Sequence, residues 1–135
     1  MTNQTTLSSE EFDAIKQAIN NIRVAFLTTQ GPNGTLRTRP MVTHQLDADG
    51  TMWFFTRDNS IKAAHIRLHP GIALGFSDLQ SQVSAATAGE AEIVKDQAKI
   101  DALWNDSLHE WFPEGKDDPN IVLIRVTTQD GHCWE

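Results

Sequence analysis

Between residues 24 and 56 three runs of strand character, "VAFLTTQ", "TLRTRPMVTHQL" and "TMWFFT", are separated only by "GPNG" and "DADG". Turns this short return each strand antiparallel to the one before, because a parallel crossover needs a dozen or more residues. Pro40 interrupts the middle run. Proline has no N–H to give to a ladder, so that strand lies at an edge, is bulged or is bent there, with nearby backbone groups free for another partner. "IALGFS" and "QVSAATAGEAEIV" read as further strands, the second bending at Gly89, and "IVLIRVT" and "GHCWE" as the last two. At least six antiparallel strands in one 135-residue domain predict a closed or nearly closed β-barrel, mainly β with helical additions.

The helical additions have their own signals. Ser8 followed by Glu11 has capping-box spacing, and Phe12, Ile15, Ile19 and Ile22 recur at helical intervals, which predicts a helix over 9–21. A short helix over 60–68 is stopped by "HPG", and another runs over 96–111 before the loop "FPEGKDDPN". Asp47 and Asp49 begin like a calcium loop, but the later ligands are missing, so "DADG" reads as a hairpin turn. The acidic stretch 90–118 overlies helical periodicity and reads as a solvated face.

Charge narrows the function classes. The net charge of -7 argues against a general nucleic-acid or anionic-membrane surface, both of which need a basic footprint. From Arg37 to Arg67, however, five basic residues face three acidic ones, so a small anion has a natural place there. Cys133 is the single cysteine, which excludes an internal disulfide and a cysteine-rich metal site. "MTNQTTLSSEEF" lacks the basic head and apolar core of a leader, and no run approaches the roughly 18 apolar residues of a spanning helix. A cytoplasmic protein is expected. His65 and His69 are four apart, but His69 adjoins the helix-stopping Pro70 and no third ligand has suitable spacing, so no metal site is expected. There is no "GxSxG" elbow, Cys133 has no local basic partner, and neither a dinucleotide fingerprint nor a phosphate loop is present.

The remaining candidate is "FFTRDNSIKAAHI", residues 54–66. Thr56 closes a strand, Asn59 or Ser60 suits the cap of the next helix, and Lys62 falls in its first turn, where a cation is unfavourable against the helix dipole. An anion at that end reverses the argument: the free amides, the Ser60 hydroxyl and the Lys62 ammonium converge on a phosphate. The plainer alternative is an ordinary cap with Lys62 in water. Arg39, beside Pro40, either reaches the same anion or is simply exposed like Arg37.

Five motifs now stand in order: "RPMVTH" at 39–44, "WFFTRDNSIKAAHI" at 53–66, "HPGIALGF" at 69–76, "SQVSAATAGEAEIV" at 81–94 and "LWNDSLHEWFPEG" at 103–115. Together they resemble the general stress protein branch of the pyridoxamine 5'-phosphate oxidase-like FMN-binding split barrels, over nearly the whole chain. The resemblance implies a split β-barrel homodimer with two FMN sites at the subunit interface. By position it implies that Arg39 meets the FMN phosphate or ribityl chain. Met41, Val42 and Thr43 would run their backbone along the isoalloxazine ring. Phe55 and Thr56 would lie against the ribityl and phosphate region, and Ser60 and Lys62 would bind the phosphate. Gln82 would reach the flavin of the partner subunit. Trp111 would cover the ring from that subunit, or else be a buried core tryptophan.

Two departures qualify what is implied. Oxidase relatives carry a basic residue where Ile61 stands and a lysine where His44 stands, so the phosphate grip loses up to two charge-assisted bonds. The basic, histidine-containing C-terminal motif that binds the vitamin B6 phosphate has no counterpart in "VTTQDGHCWE", so true pyridoxamine phosphate oxidation is not expected. The expectation is a flavin-dependent oxidoreductase of an unidentified small molecule, with NADH or NADPH as electron donor and His44 as a candidate proton donor. The alternative is a non-catalytic protein that carries or sequesters FMN, FAD or another flavin; haem or a deazaflavin is a third ligand class among related barrels.

Overall fold

The computed structural model describes residues 9–134. In chain order the elements are α1 (Ser9–Ile19), β1 (Val24–Gln30), β2 (Leu36–Val42), β3 (Gln45–Leu46), β4 (Met52–Arg57), α2 (Ile61–Leu68), β5 (Gly71–Asp78), β6 (Val83–Val94), α3 (Gln97–Leu103), a 3₁₀ helix (Asp106–Glu110) and β7 (Ile121–Trp134). The seven strands form one sheet in the order β2-β1-β5-β6-β7-β4-β3, with every neighbouring pair antiparallel.

The sheet must curl because its two outermost strands are consecutive in the chain. Only Thr43 and His44 join β2 to β3. The Thr43 N–H donates to Arg23 O at 2.8 Å on one side of the seam, and the His44 N–H donates to Trp53 O at 3.0 Å on the other. Two residues span a few ångströms, so the ends of the sheet are held together and the result is a split barrel. Its interior holds Ala25, Leu27, Met52, Phe54, Leu74, Phe76, Ile124 and Val126, with α1 adding Ile15 and Ile19 against β6 and β7.

Strand β4 is buried on both faces. Met52 and Phe54 point into the barrel, while Trp53 and Phe55 point outward into a second core with Ile100, Leu108, Phe112, Ile121 and Leu123. This is why "MWFF" reads as a continuous apolar run rather than an alternating one. The bend expected at Gly89 is present as a register shift between Ala88 and Gly89. A Cβ at Gly89 would lie 2.0 Å from Thr127 O, so only glycine lets the two backbones approach this closely.

Several expectations are corrected. "TLRTRPMVTHQL" is two strands, because the chain changes sheet edges at Thr43–His44. The helix over 96–111 breaks after Leu103, where Asn105 accepts the Ser107 N–H and starts a separate 3₁₀ turn. The two final strands are one, since β7 follows β6 along its length and crosses from the second core into the barrel wall. The first helix ends at Ile19. Ser8 of the proposed capping box lies outside the described residues. Among those described, no helix is long and apolar enough to cross a membrane.

Candidate functional site

A cleft of about 440 Å³ opens along the seam, within the range of roughly 300–1,000 Å³ usual for small-molecule sites. One wall is the β1–β2 edge, with Val24, Pro40, Met41 and Val42; the other is the second core's margin, with Phe55, Leu108, Trp111 and Phe112. The turn from β4 into α2 closes one end with Thr56, Arg57, Asn59, Ser60 and Lys62.

The β2 edge is open by construction. Thr43 is hydrogen-bonded to Arg23 and Pro40 has no N–H, so ladder alternation turns the Val42 N–H and carbonyl away from β1 and toward the unpaired side. Of the three residues expected to offer backbone to a ring, Met41 and Val42 line the cleft, whereas the Thr43 amide is already occupied. The Thr43 hydroxyl is buried without a partner.

At the closed end, Ser60 caps α2. Its Oγ accepts the Ala63 N–H at 3.2 Å and the Thr56 hydroxyl at 3.0 Å, and Thr56 Oγ1 in turn accepts from Lys62 Nζ at 3.3 Å. The Ser60 oxygen therefore serves two donors and its own hydrogen is left to give. The Ser60 carbonyl takes the Ala64 amide, which leaves the Ile61 and Lys62 amides as first-turn donors.

Arg39 lies behind this cluster, outside the residues that line the cleft but near enough for its charge to act on Lys62. Its Nη1 donates to Thr29 Oγ1 at 2.7 Å and to Leu27 O at 3.3 Å, while Nη2 is buried without an acceptor. Desolvation, then Arg37, lowers the Arg39 pKa; desolvation, then Arg39, lowers that of Lys62. Neither cation takes part in the ion pairs found among the described residues: Asp58 is engaged by Arg67, and Asp118 by Arg57. Two partly desolvated cations that repel one another, with no ion-pair partner among the described residues, make this end of the cleft a candidate anion site.

The rest of the cleft is apolar and aromatic. His44 packs edge-on against Phe55 with centroids 4.7 Å apart; its Nδ1 is buried and unpartnered, and desolvation lowers its pKa. Trp111 is 63% exposed, so it is not a core tryptophan; it sits on the rim of its own chain's cleft, where Arg57 Nη2 donates to its carbonyl at 2.7 Å. Gln82 is exposed in the β5–β6 turn at φ 59° and does not line this cleft. Among the described residues no three His, Cys, Asp or Glu side chains converge as metal ligands.

Thus Met41, Val42, Phe55, Thr56, Ser60 and Lys62 line one cleft, Trp111 lines it from the same chain rather than from a partner, and Arg39, Thr43 and Gln82 are not in the lining, although Arg39 stands close enough to lower the Lys62 pKa. Sequence reasoning did not place Val24, Arg57, Leu108 or Phe112 in the site, and offered Asn59 only as an alternative cap to Ser60, which is the observed cap. The alternation of β1 and the helical spacing of "LHEWF" carried a signal for Val24, Leu108 and Phe112, but not for which surface they would share.

Comparison with known proteins places the split barrel in a family. The sequence profile described as "Pyridoxamine 5'-phosphate oxidase like" matches residues 10–135, and the chain belongs to that family. General stress protein 26 of Bacillus subtilis (strain 168) is 31% identical over 87 residues, a match that spans 59% of this chain and only 59% of that relative's length. A protein related to general stress protein 26 from Clostridium acetobutylicum has the same fold, with a TM-score of 0.80 at 22% identity over 96% of this chain and 91% of that one. The general stress FMN/FAD binding protein of Xanthomonas citri superposes with a TM-score of 0.78 at 28% identity, covering 94% of this chain and 89% of that one.

A site built for a ligand costs stability when empty. Lys62 in the ligand-free fold has a lowered pKa, so its charge opposes folding below that pKa, and stability rises with pH from there toward 10.5. Lys62→Met should therefore be at least as stable as the parent in urea melts at neutral pH without ligand, and should lack that alkaline gain. A loss of more than about 1 kcal/mol would contradict the electrostatic reading.

Proposed function

We propose that this cleft binds FMN, with its phosphate against Arg39, Ser60 and Lys62 and its ring between the Val42 edge and the Phe55–Trp111 wall. The observation that carries the reading is the pair of unpaired cations, with Arg39 Nη2 buried and lacking an acceptor. A phosphate monoester carries about -1.5 to -2 charges near neutrality, which matches two cations better than the singly charged phosphates of a diester. The Xanthomonas citri neighbour, named an FMN/FAD binding protein, supports a flavin.

Bound flavin supplies two-electron hydride chemistry at its N5. The chain's own part is to hold the phosphate, exclude water with Phe55, Phe112 and Trp111, and present the outward-turned Val42 N–H to the polar edge of the ring. We assign it as an oxidoreductase of a small molecule, with NADH or NADPH as donor. His44 is the cleft's histidine, and the pKa shift keeps it neutral near pH 7, able to hydrogen-bond without adding charge. A carrier role has one observation in its favour: no carboxylate is among the residues lining the cleft.

The sites are proposed to work in a homodimer. Val24, Phe26, Val42 and Trp134 stand 43%, 48%, 36% and 57% exposed on the outer face beside the cleft, around small residues at Ala73, Gly75 and Ala86. A second copy covering this face would bring Gln82 toward the partner's flavin.

Titration of FMN fluorescence tests the binding. Lys62→Ala and Arg39→Ala should each weaken FMN roughly 10- to 100-fold, the worth of a charge-assisted hydrogen bond, while folding persists. Unchanged affinity rejects the phosphate assignment. Bleaching of the bound flavin by NADH or NADPH followed by reoxidation supports the enzyme, and a flavin that neither nucleotide reduces supports the carrier. Light scattering of the holoprotein should give twice the 15.0 kDa chain mass, and a monomer contradicts the paired sites.

A further inference from the structure

Arg39 is held from behind by two residues outside the cleft lining. Thr29 is 1% exposed on β1, and its Oγ1 lies 2.7 Å from Arg39 Nη1 and 2.9 Å from His65 Nδ1. A guanidinium only donates, so the Thr29 oxygen accepts from Arg39 and its single hydrogen is free to go to His65. That arrangement is met by the tautomer in which Nδ1 accepts and the imidazole proton is on Nε2. The His65 ring is fixed in turn by the chain beside it: a Cβ on Gly31 would come within 3.1 Å of His65 Nε2, and Gly31 is itself buried where β1 turns toward β2.

The consequence lies in how the two terminal nitrogens of Arg39 are used. Nη1 is committed to β1 through Thr29 and Leu27 O, and Nη2 has nothing. A guanidinium anchored at one nitrogen keeps, at the other, a buried N–H group still to be satisfied. His65 also sits one turn beyond Lys62 on α2, so the chain His65–Thr29–Arg39 ties the helix that carries one cation to the strand that carries the other.

We infer that Thr29 and His65 are positioning residues that fix Arg39 for the terminal phosphate and so set the preference for a phosphorylated flavin over the bare riboflavin. The inference rests on the flavin-phosphate reading of the cleft. It assigns a role to a histidine that the sequence offered only as half of a failed metal pair, and to a buried threonine that the sequence did not single out.

The test is the ratio of riboflavin Kd to FMN Kd, measured by fluorescence quenching for the parent, Thr29→Val, Thr29→Ser and His65→Phe. A threonine or histidine that only packs would alter both affinities together. The expected result is a ratio lowered roughly tenfold in Thr29→Val and His65→Phe, with riboflavin affinity unchanged, and restored in Thr29→Ser, which keeps the hydroxyl. Should Thr29→Val not fold, His65→Phe against Thr29→Ser decides the matter, because the histidine lies on the more exposed side of the relay. A parent that binds FMN no better than riboflavin overturns the phosphate reading and this inference together. A parent that prefers FMN, with the ratio unmoved in His65→Phe and in any folded Thr29→Val, overturns the positioning role alone.

Discussion

The two-residue passage at Thr43–His44 is the constraint from which the rest follows. Because it joins the first and last strands of the sheet, the sheet must close, yet the joined strands β2 and β3 pair with β1 and β4 rather than with each other. The barrel is thereby split, and the split is the cleft. Pro40 keeps β2 from recruiting a further strand, since it has no N–H to offer and its neighbour Val42 turns its backbone groups to the open side. A strand edge is usually an aggregation hazard; here the site, and the second chain proposed to cover the outer face, give it an occupant.

Strand β4 carries the other half of the arrangement. Buried on both faces, it joins the barrel core to the smaller core under α3 and the 3₁₀ turn, and it ends where Thr56 and Ser60 begin the closed end of the cleft. Rigid packing upstream thus sets the position of α2 and Lys62. Arg57, the last residue of β4, stacks over Phe112 at 4.9 Å and holds the Trp111 carbonyl, so the aromatic wall and the anion end are fixed by the same strand. Side chains held in this way lose little freedom when a ligand arrives.

Much of this was legible in the sequence, and the parts that were not have physical reasons. Short glycine turns between strand runs gave the antiparallel order, and the cap of α2 at Ser60 with a lysine in its first turn was legible as a candidate anion site. The crossing at Thr43–His44 was hidden because extended backbone on either side of a change of sheet looks like one strand. The continuous β7 was hidden because "TQDG" carries turn residues, although β6 alongside supplies ladder partners on both sides of a bulge at Gln129. The break at Trp104–Asn105 was hidden by apolar residues that keep helical spacing on both sides of it. Of the site, the side chains around "RPMV" and "FTRDNSIK" were legible as a motif. The Thr29–His65 support was not, because it pairs residues 36 apart that meet only once the barrel closes.

The account turns on where a phosphate sits. Phosphorus-31 NMR of FMN titrated with the protein reads that directly. A bound resonance displaced from free FMN, and moved again in Arg39→Ala, is the result predicted. FMN that binds with its phosphorus resonance unshifted would place the phosphate in water and contradict the account.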